Sequence, residues 1–278
     1  MKSKKRFCIV TVNRNHGAYL SQTIESVLSN LRPEDEYFVV DGGSHDNSVN
    51  VILKYRRWLT GWCSESDSGY AEALHKGFGR VTGDYMCWIN SGDILLDGSL
   101  VVAAEELADY ETDMIFGDDF YIDEQGEILF KSSGKVPSLK EAMLFGGWTP
   151  LQDACFWKRS LYEKVGGIDP RLKYAADYDL FLRFALHGRC SYVPSVFSAF
   201  RRHAGQKSIS SAHKYVQERE ACRARELRRL GVEGIRRFRL ESYHRVCVRS
   251  RLYLERLKRL TRNRVPNGKA RTLSVDRR

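Results

Sequence analysis

The first hundred residues switch repeatedly between strand-like and helix-like patterning, which constrains the fold more than any other feature of the chain. The β-rich run FCIVTV is followed by TIESVLSN, where Ile24, Val27 and Leu28 recur at helical spacing. EYFVVDGGSHDNS predicts a strand ending at Asp41 with two glycines behind it, and SVNVILKYRRW predicts a helix. A third unit runs from GWCSESDSG through the helical YAEALHKGFGRV and a turn at Thr82 and Gly83 into the strand YMCWIN. Strands and helices in alternation predict a largely parallel sheet between layers of helices. Polar residues after each strand then line the carboxyl edge, where open α/β sheets bind ligands.

The middle of the chain is patterned differently. Two β-rich runs in DMIFGDDFYIDEQGEILFKS flank residues 123–126, the signature of a hairpin. ACFWKRSLYEKVGGIDP predicts a strand and then a helix closed by Gly166 and Gly167. YDLFLRFALHG predicts a short helix with Leu180, Phe181 and Phe184 inward and Gly188 at its end, and CSYVPSVFSAFRRH is extended. From Ser210 onward the pattern is helical and arginine-rich, and the last dozen or so residues, NGKARTLSVDRR, are expected to be disordered.

Charge divides the chain near the same place. Residues 1–200 hold 21 Lys and Arg against 28 Asp and Glu, whereas residues 201–278 hold 24 against 7. Two parts with different roles are expected: an α/β domain over 1–209 and a basic helical extension over 210–278. The 7 cysteines include no CxxC pair, which favours reduced thiols in a cytosolic protein over a disulfide framework or a zinc site. The apolar part of MKSKKRFCIVTV is too short for a signal peptide, and no run approaches the roughly 18 apolar residues that span a bilayer.

Four aspartates fall at the predicted carboxyl edge: Asp41, Asp67, Asp93 and Asp177. Each alone suits a strand end or a helix cap. Together they repel, and such a gathering calls for a cation or a catalytic use. Mg²⁺ or Mn²⁺ holding a diphosphate meets that need through oxygen ligands. Neither GxxxxGK[ST] nor GxGxxG occurs, which turns the reading away from kinases, NTPases and classical dehydrogenases. His203, in FRRHAGQKS, either belongs to a surface basic cluster or reaches the metal or diphosphate, with Arg201, Arg202 and Lys207 offsetting phosphate charge. The other histidines, His16 among them, have no comparable context.

Taken in order, IVTVNRNHGAYLSQTIESVL, VVDGGSHDNS, SESDSGYAEALHKGFGRVTGDYMCWINSGDILLDGSL, GGIDPRLKYAADYDLFLRFA and FRRHAGQKS resemble the motifs of family 2 glycosyltransferases. These are inverting enzymes of the GT-A fold, Rossmann-like, that use nucleotide-sugar donors. The resemblance spans about residues 5 to 210 and omits the basic tail. It implies that Thr11 and Asn13 border the nucleotide base, that Asp41 holds the base or ribose, and that Asp67 contacts the base or sugar–diphosphate region. Asn90, Ser91, Gly92 and Asp93 fall at the family's Asp-x-Asp-like metal motif, with Ser91 at the donor. Asp93 is the one carboxylate for Mn²⁺ or Mg²⁺, and His203 assists. Asp177 resembles the general base, with Asp179 as the nearby alternative or a brace for the helix. Trp148 and Gln152 lie where an acceptor would stack and hydrogen-bond, although Trp148 is equally placed for the core.

For such an enzyme the acceptor is a glycan or a lipid-linked sugar, as in bacterial surface polysaccharide or lipopolysaccharide synthesis. The basic tail then suits an anionic membrane surface, on the inner face of the cytoplasmic membrane. A solvated helical face or a homodimer contact is the alternative for that tail. Nucleic acid is the rival partner, disfavoured by the acidic body and the lack of a recognised motif. A nucleotidyltransferase, a sugar-nucleotide hydrolase and a non-catalytic nucleotide-sugar-binding protein remain the other readings.

Overall fold

The computed structural model of the chain describes residues 5–203, 206 and 211–232. The first half follows the predicted alternation: β1 (Phe7–Asn13), α1 (Gly17–Leu28), β2 (Glu36–Asp41), α2 (Ser48–Tyr55), β3 (Gly61–Ser64), α3 (Tyr70–Phe78) and β4 (Tyr85–Trp88). β1 pairs in parallel with β2 and β4, and β2 pairs in parallel with β3. Every residue of β1 and β4 is buried, which is why Phe7–Val10 and β4 read as continuous apolar runs, with polar Thr11 and Asn13 confined to the carboxyl end of β1. On one face α3 lies so close that a Cβ on Gly77 would meet Val10 Cγ1 at 2.5 Å and Val40 Cγ2 at 3.1 Å.

The second half adds β5 (Ile94–Leu95), α4 (Ser99–Ala108), β6 (Met114–Ile122), β7 (Ile128–Ser132), α5 (Leu139–Gly146), β8 (Cys155–Lys158), α6 (Arg159–Lys164), α7 (Ala176–His187) and β9 (Cys190–Arg201). The sheet runs β3-β2-β1-β4-β8-β6-β9-β5, with β7 on β6. β8 is antiparallel to both β4 and β6, and β9 is parallel to β6. The sheet is therefore parallel through its first four strands and mixed beyond them. The hairpin between β6 and β7 turns where the sequence places it: Asp123 accepts the amides of Gln125 and Glu127, and Gly126 takes φ +92°.

An aromatic cluster joins the two halves. Trp88 of β4 stacks on Phe181 of α7 at 5.6 Å, and Trp157 of β8 meets Trp88 edge-on at 5.3 Å. α7 is thereby fixed beneath the centre of the sheet, with Leu180, Phe181 and Phe184 all buried as predicted.

A last helix, α8 (Ala212–Arg229), lies beyond the expected boundary at residue 209 yet packs on the body. Cys222 and Leu227 are buried, and Arg219 and Arg223 donate to the carbonyls of Gly147 and Leu144. Arg225 pairs with Asp179 of α7. These arginines, expected to face a membrane or a partner, serve the fold, so the first part of the basic segment and the acidic body form one packed unit. Lys207 and the basic tail from residue 233, including the end expected to be disordered, lie outside the described residues. No helix among the described residues is long and apolar enough to cross a membrane. Six of the seven cysteines are described, and each is a free thiol.

Candidate active site

The carboxyl ends of β1, β2 and β3 converge on Asp41. Its Oδ1 accepts from Asn13 Nδ2 at 2.7 Å and from the Ser44 hydroxyl, while Oδ2 accepts from the Ser44 amide at 2.9 Å and Ser64 Oγ at 2.7 Å. Burial works against the charge, but these donors outweigh it and hold the carboxyl below its ordinary pKa. Asn13 is buried beside it with Oδ1 unpartnered. Asp67 folds back over this edge with Arg14 at 3.8 Å. That approach explains the double glycine: a Cβ on Gly42 would collide with the Asp67 carboxylate, and Gly43 takes φ +74° against the Ser66 backbone. Thr11 is corrected. It was expected to border a base, but it is fully buried with its hydroxyl on Tyr37 at 2.9 Å, itself fully buried.

The loop after β4 is tied down from two sides. Thr23 Oγ1 of α1 donates to the Asp93 carbonyl at 2.8 Å and accepts the Gly92 amide at 2.9 Å. Arg201, at the end of β9, donates through Nε to the Gly92 carbonyl at 2.9 Å and through its backbone amide to Asp93 Oδ1 at 3.1 Å. Gly92 takes φ +110° in open space, so the backbone, not crowding, disfavours an acidic side chain there. The Ser91 carbonyl faces His16 Nδ1 at 3.2 Å. His16 and His203 meet edge-on with ring centroids 4.8 Å apart, and Tyr19 lies 5.7 Å from His203. Burial, and then the charge of His16, push the His203 pKa down. Arg202 beside them is exposed, its amide on the Ile122 carbonyl at 2.8 Å.

α7 begins at Ala176 and presents Asp177 in its first turn, half-buried. Tyr70 Oη donates to Asp177 Oδ1 at 3.3 Å and accepts the Asp177 amide at 3.1 Å. Burial raises the carboxyl to a pKa of about 6, with the nearby Glu218 charge adding to the rise. Glu218, on α8, accepts the amides of Lys173, Tyr174 and Ala175 at 3.0, 2.7 and 2.7 Å and so clamps the segment that leads into Asp177. Asp179 is the brace and not a second base: it is buried, with Oδ2 on Arg183 at 2.5 Å and Oδ1 on Arg225, leaving neither oxygen free for a substrate proton. Trp148 is half-buried, 6.3 Å from Phe116, and Gln152 is buried with neither amide atom partnered.

The expected cation site offers little free carboxylate. Asp93 is 4% exposed, one oxygen is held by the Arg201 amide, and burial together with the charge of Asp153 pushes its pKa well up. Asn90 and Gly92 supply no acid at the other two positions, and no three His, Cys, Asp or Glu side chains among the described residues are grouped to hold a metal. Mg²⁺ and Mn²⁺ in such sites are bound by one or two carboxylates together with substrate phosphates and water. The described residues offer no cluster of acids for such an ion, and the one candidate carboxylate, Asp93, is buried beneath the Arg201 amide.

The family model for glycosyl transferase family 2 matches residues 7–166, from β1 through the turn after α6. The chain belongs to this family. An uncharacterized glycosyltransferase of Mycobacterium tuberculosis is 28% identical over 191 residues, 67% of this chain and 71% of that protein. Among solved structures, residues 1–349 of Staphylococcus aureus TarS in complex with UDP align with TM-score 0.62 at 16% identity, over 86% of this chain and 70% of that one. The mannosyltransferase PcManGT of Pyrobaculum calidifontis, in complex with GDP-Man and Mn²⁺, aligns with TM-score 0.61 at 15% identity, over 82% of this chain and 65% of that one. These likenesses show the GT-A fold, a curled mixed sheet between helices. Against longer TarS the match covers 37% of that chain.

Within the family fold, sequence reasoning missed three participants. His16 looked like an isolated histidine, although its place between the end of β1 and the start of α1 puts it at the carboxyl edge. Tyr70 opens α3 immediately after the Asp67 loop, a position that brings its hydroxyl to Asp177. Glu218 carried no local signal, because its role exists only once α8 docks.

Proposed function

We propose that this chain transfers a sugar, with inversion, from a nucleotide-diphosphate sugar to a hydroxyl of a glycan or lipid-linked acceptor, as in bacterial surface polysaccharide synthesis. The observation that carries the reading is Asp177: a half-buried carboxyl with a pKa of about 6, steadied by Tyr70. A general base works best with a pKa near the working pH. Asp177 takes the acceptor proton as the acceptor oxygen attacks the anomeric carbon. The bond from that carbon to the diphosphate oxygen breaks on the opposite side, and the nucleoside diphosphate leaves with the electron pair. Arg202 supplies positive charge on that side, and His203 beside it offers a ring N–H to the leaving oxygen. Asn13, with Oδ1 unpartnered beside the saturated Asp41, suits an N–H of the nucleotide base. Asp67 and Ser91 border the same donor. The excess of basic residues over 201–278 supports work at the inner, anionic face of a membrane.

Thermal shift and calorimetry over UDP-, GDP- and dTDP-sugars, each with and without Mn²⁺, test the reading, followed by acceptor-dependent release of free nucleotide. At least one donor raises the melting temperature and is consumed in the presence of acceptor. A screen in which no nucleotide binds under either condition overturns the proposal, and binding without turnover assigns the chain to donor-binding proteins.

A further inference from the structure

The stretch KYRRWL presents a surface that neither the core nor the candidate active site uses. α2 ends at Tyr55, a single 3₁₀ turn covers Arg56–Trp58, and Leu59 is extended toward β3. Trp58 is 49% exposed, whereas Trp88 and Trp157 are fully buried and Trp62 and Trp148 half-buried. An indole left in water forgoes the burial that holds the others in place. Its turn is fixed to α1, because the Tyr55 hydroxyl donates to Glu25 Oε1 at 2.5 Å and the Tyr55 ring lies 6.1 Å from that of Trp58.

Three exposed cations surround this ring: Lys54, Arg56 and Arg57. Among the described residues none of them is paired with an acid, whereas Lys5, Arg6, Arg32 and Lys76 of the same half each hold a carboxylate, at 2.6, 2.9, 2.8 and 3.0 Å. The negative end of α2 accounts for Lys54, which sits in its last turn. It gives no reason for two arginines and a bare indole beyond that end. Arg57 lies over the Trp58 ring at 4.0 Å, so guanidinium and ring are presented as one unit. The patch lies away from the donor edge: Thr60, just past it, donates its amide to the carbonyl of Tyr37 near the start of β2, and Asp41 ends that strand. β3, which follows, is the outermost strand on this side of the sheet.

We propose that Lys54, Arg56, Arg57 and Trp58 form a docking surface for an anionic lipid bilayer, with the indole at the boundary between headgroups and acyl chains and the three cations on lipid phosphates. An amphipathic ring flanked by long cationic side chains matches the chemistry of that boundary, and the charge is complementary to an acidic leaflet. A single-stranded nucleic acid also attracts cations and stacks on indoles, but Arg57 already covers one face of this ring. The assignment rests on the reading of the chain as working at an anionic membrane face. It adds a contact in the α/β body itself, where Arg219, Arg223 and Arg225 of α8 are engaged in the fold.

Cosedimentation of the full chain with vesicles of phosphatidylcholine, alone or mixed with phosphatidylglycerol, tests the proposal, with lipids brominated in the acyl chain as quenchers of tryptophan emission. The wild type binds the mixed vesicles and not the neutral ones, its emission is quenched, and most of that quenching is lost in Trp58→Phe. One cation near an anionic surface strengthens binding about fivefold, so the double variant Arg56→Ala, Arg57→Ala partitions about twentyfold more weakly. These side chains are exposed, and both variants melt as the wild type does. If the wild type binds mixed vesicles and both variants match it in partitioning and quenching, the surface is overturned while the membrane reading stands. If the wild type ignores mixed vesicles, the membrane reading and this surface fall together. Duplex DNA and single-stranded RNA are run at the same ionic strength, and variants that lose nucleic acid but keep vesicles overturn the proposal. UDP binding, followed in parallel by thermal shift, reads the transferase assignment separately.

Discussion

Asp41 and Asp119 are both buried aspartates of the central sheet, one in each half, and the protein treats them in opposite ways. Asp41 receives donors from Asn13, Ser44 and Ser64 on both oxygens and keeps its charge. Asp119 has an unpartnered oxygen, the charge of Asp153 close by, and a pKa pushed up to about 9. The parallel half brings three strand ends and their polar loops to a single point, so the chain completes its own network there. In the mixed half Asp119 and Asp153 meet few donors, so burial raises both carboxyls and the charge of Asp153 adds to the rise at Asp119.

The comparison breaks most visibly at Asp177, the proposed base. Replacing Asp177 with Asn lowers transfer by about 10²-fold or more while donor affinity stays near wild type, measured by nucleotide release and calorimetry. In the wild type the rate rises with pH through about 6, because the base acts only when deprotonated. The next largest effect falls on the completed network. Asp41→Ala leaves its donors without an acceptor and costs about 2–4 kcal/mol in denaturant unfolding. Because the Asp41 pKa is held down in the folded state, its contribution is present above the ordinary carboxylate range and is lost as the pH falls through the folded value.

Glu218→Ala removes the acceptor for three amides ahead of Asp177, and transfer falls about tenfold with little change in donor affinity. Transfer as fast as wild type would show that the clamp is dispensable. Asp119 and Asp153 give the opposite pH trend to Asp41. Their folded pKa values are raised, so their share of stability is full at low pH and declines from about pH 4 upward, toward 6 for Asp153 and 9 for Asp119. Between pH 5 and pH 8, Asp119→Asn flattens the fall in melting temperature by about 3 °C. The smallest effect is chelation: EDTA lowers transfer by about threefold or less, because Asp93 is buried under Arg201. A loss comparable to that of Asp177→Asn would show that the donor complex builds a cation site after all.

The order of strands and helices through β4 was legible because periodicity is a local property, and the hairpin at 123–126 because turn residues act over a few positions. Asp177 was legible too, as a carboxylate opening a helix after the Gly166 and Gly167 turn. DGGS could be recognised as a turn, but the need for Gly42 comes from Asp67, which another strand brings over it. Asp93 and Asp177 look equally available as strand-end or helix-start acids, and only the packed molecule separates them. One lies buried beneath Arg201 near Asp153, and the other is half-buried beside Tyr70. The sequence by itself determined the alternation, the carboxyl edge and the candidate acids. Tertiary structure decided which acids keep their charge, which lose it and which serve as braces, because desolvation and hydrogen-bond supply are set by residues a hundred positions away.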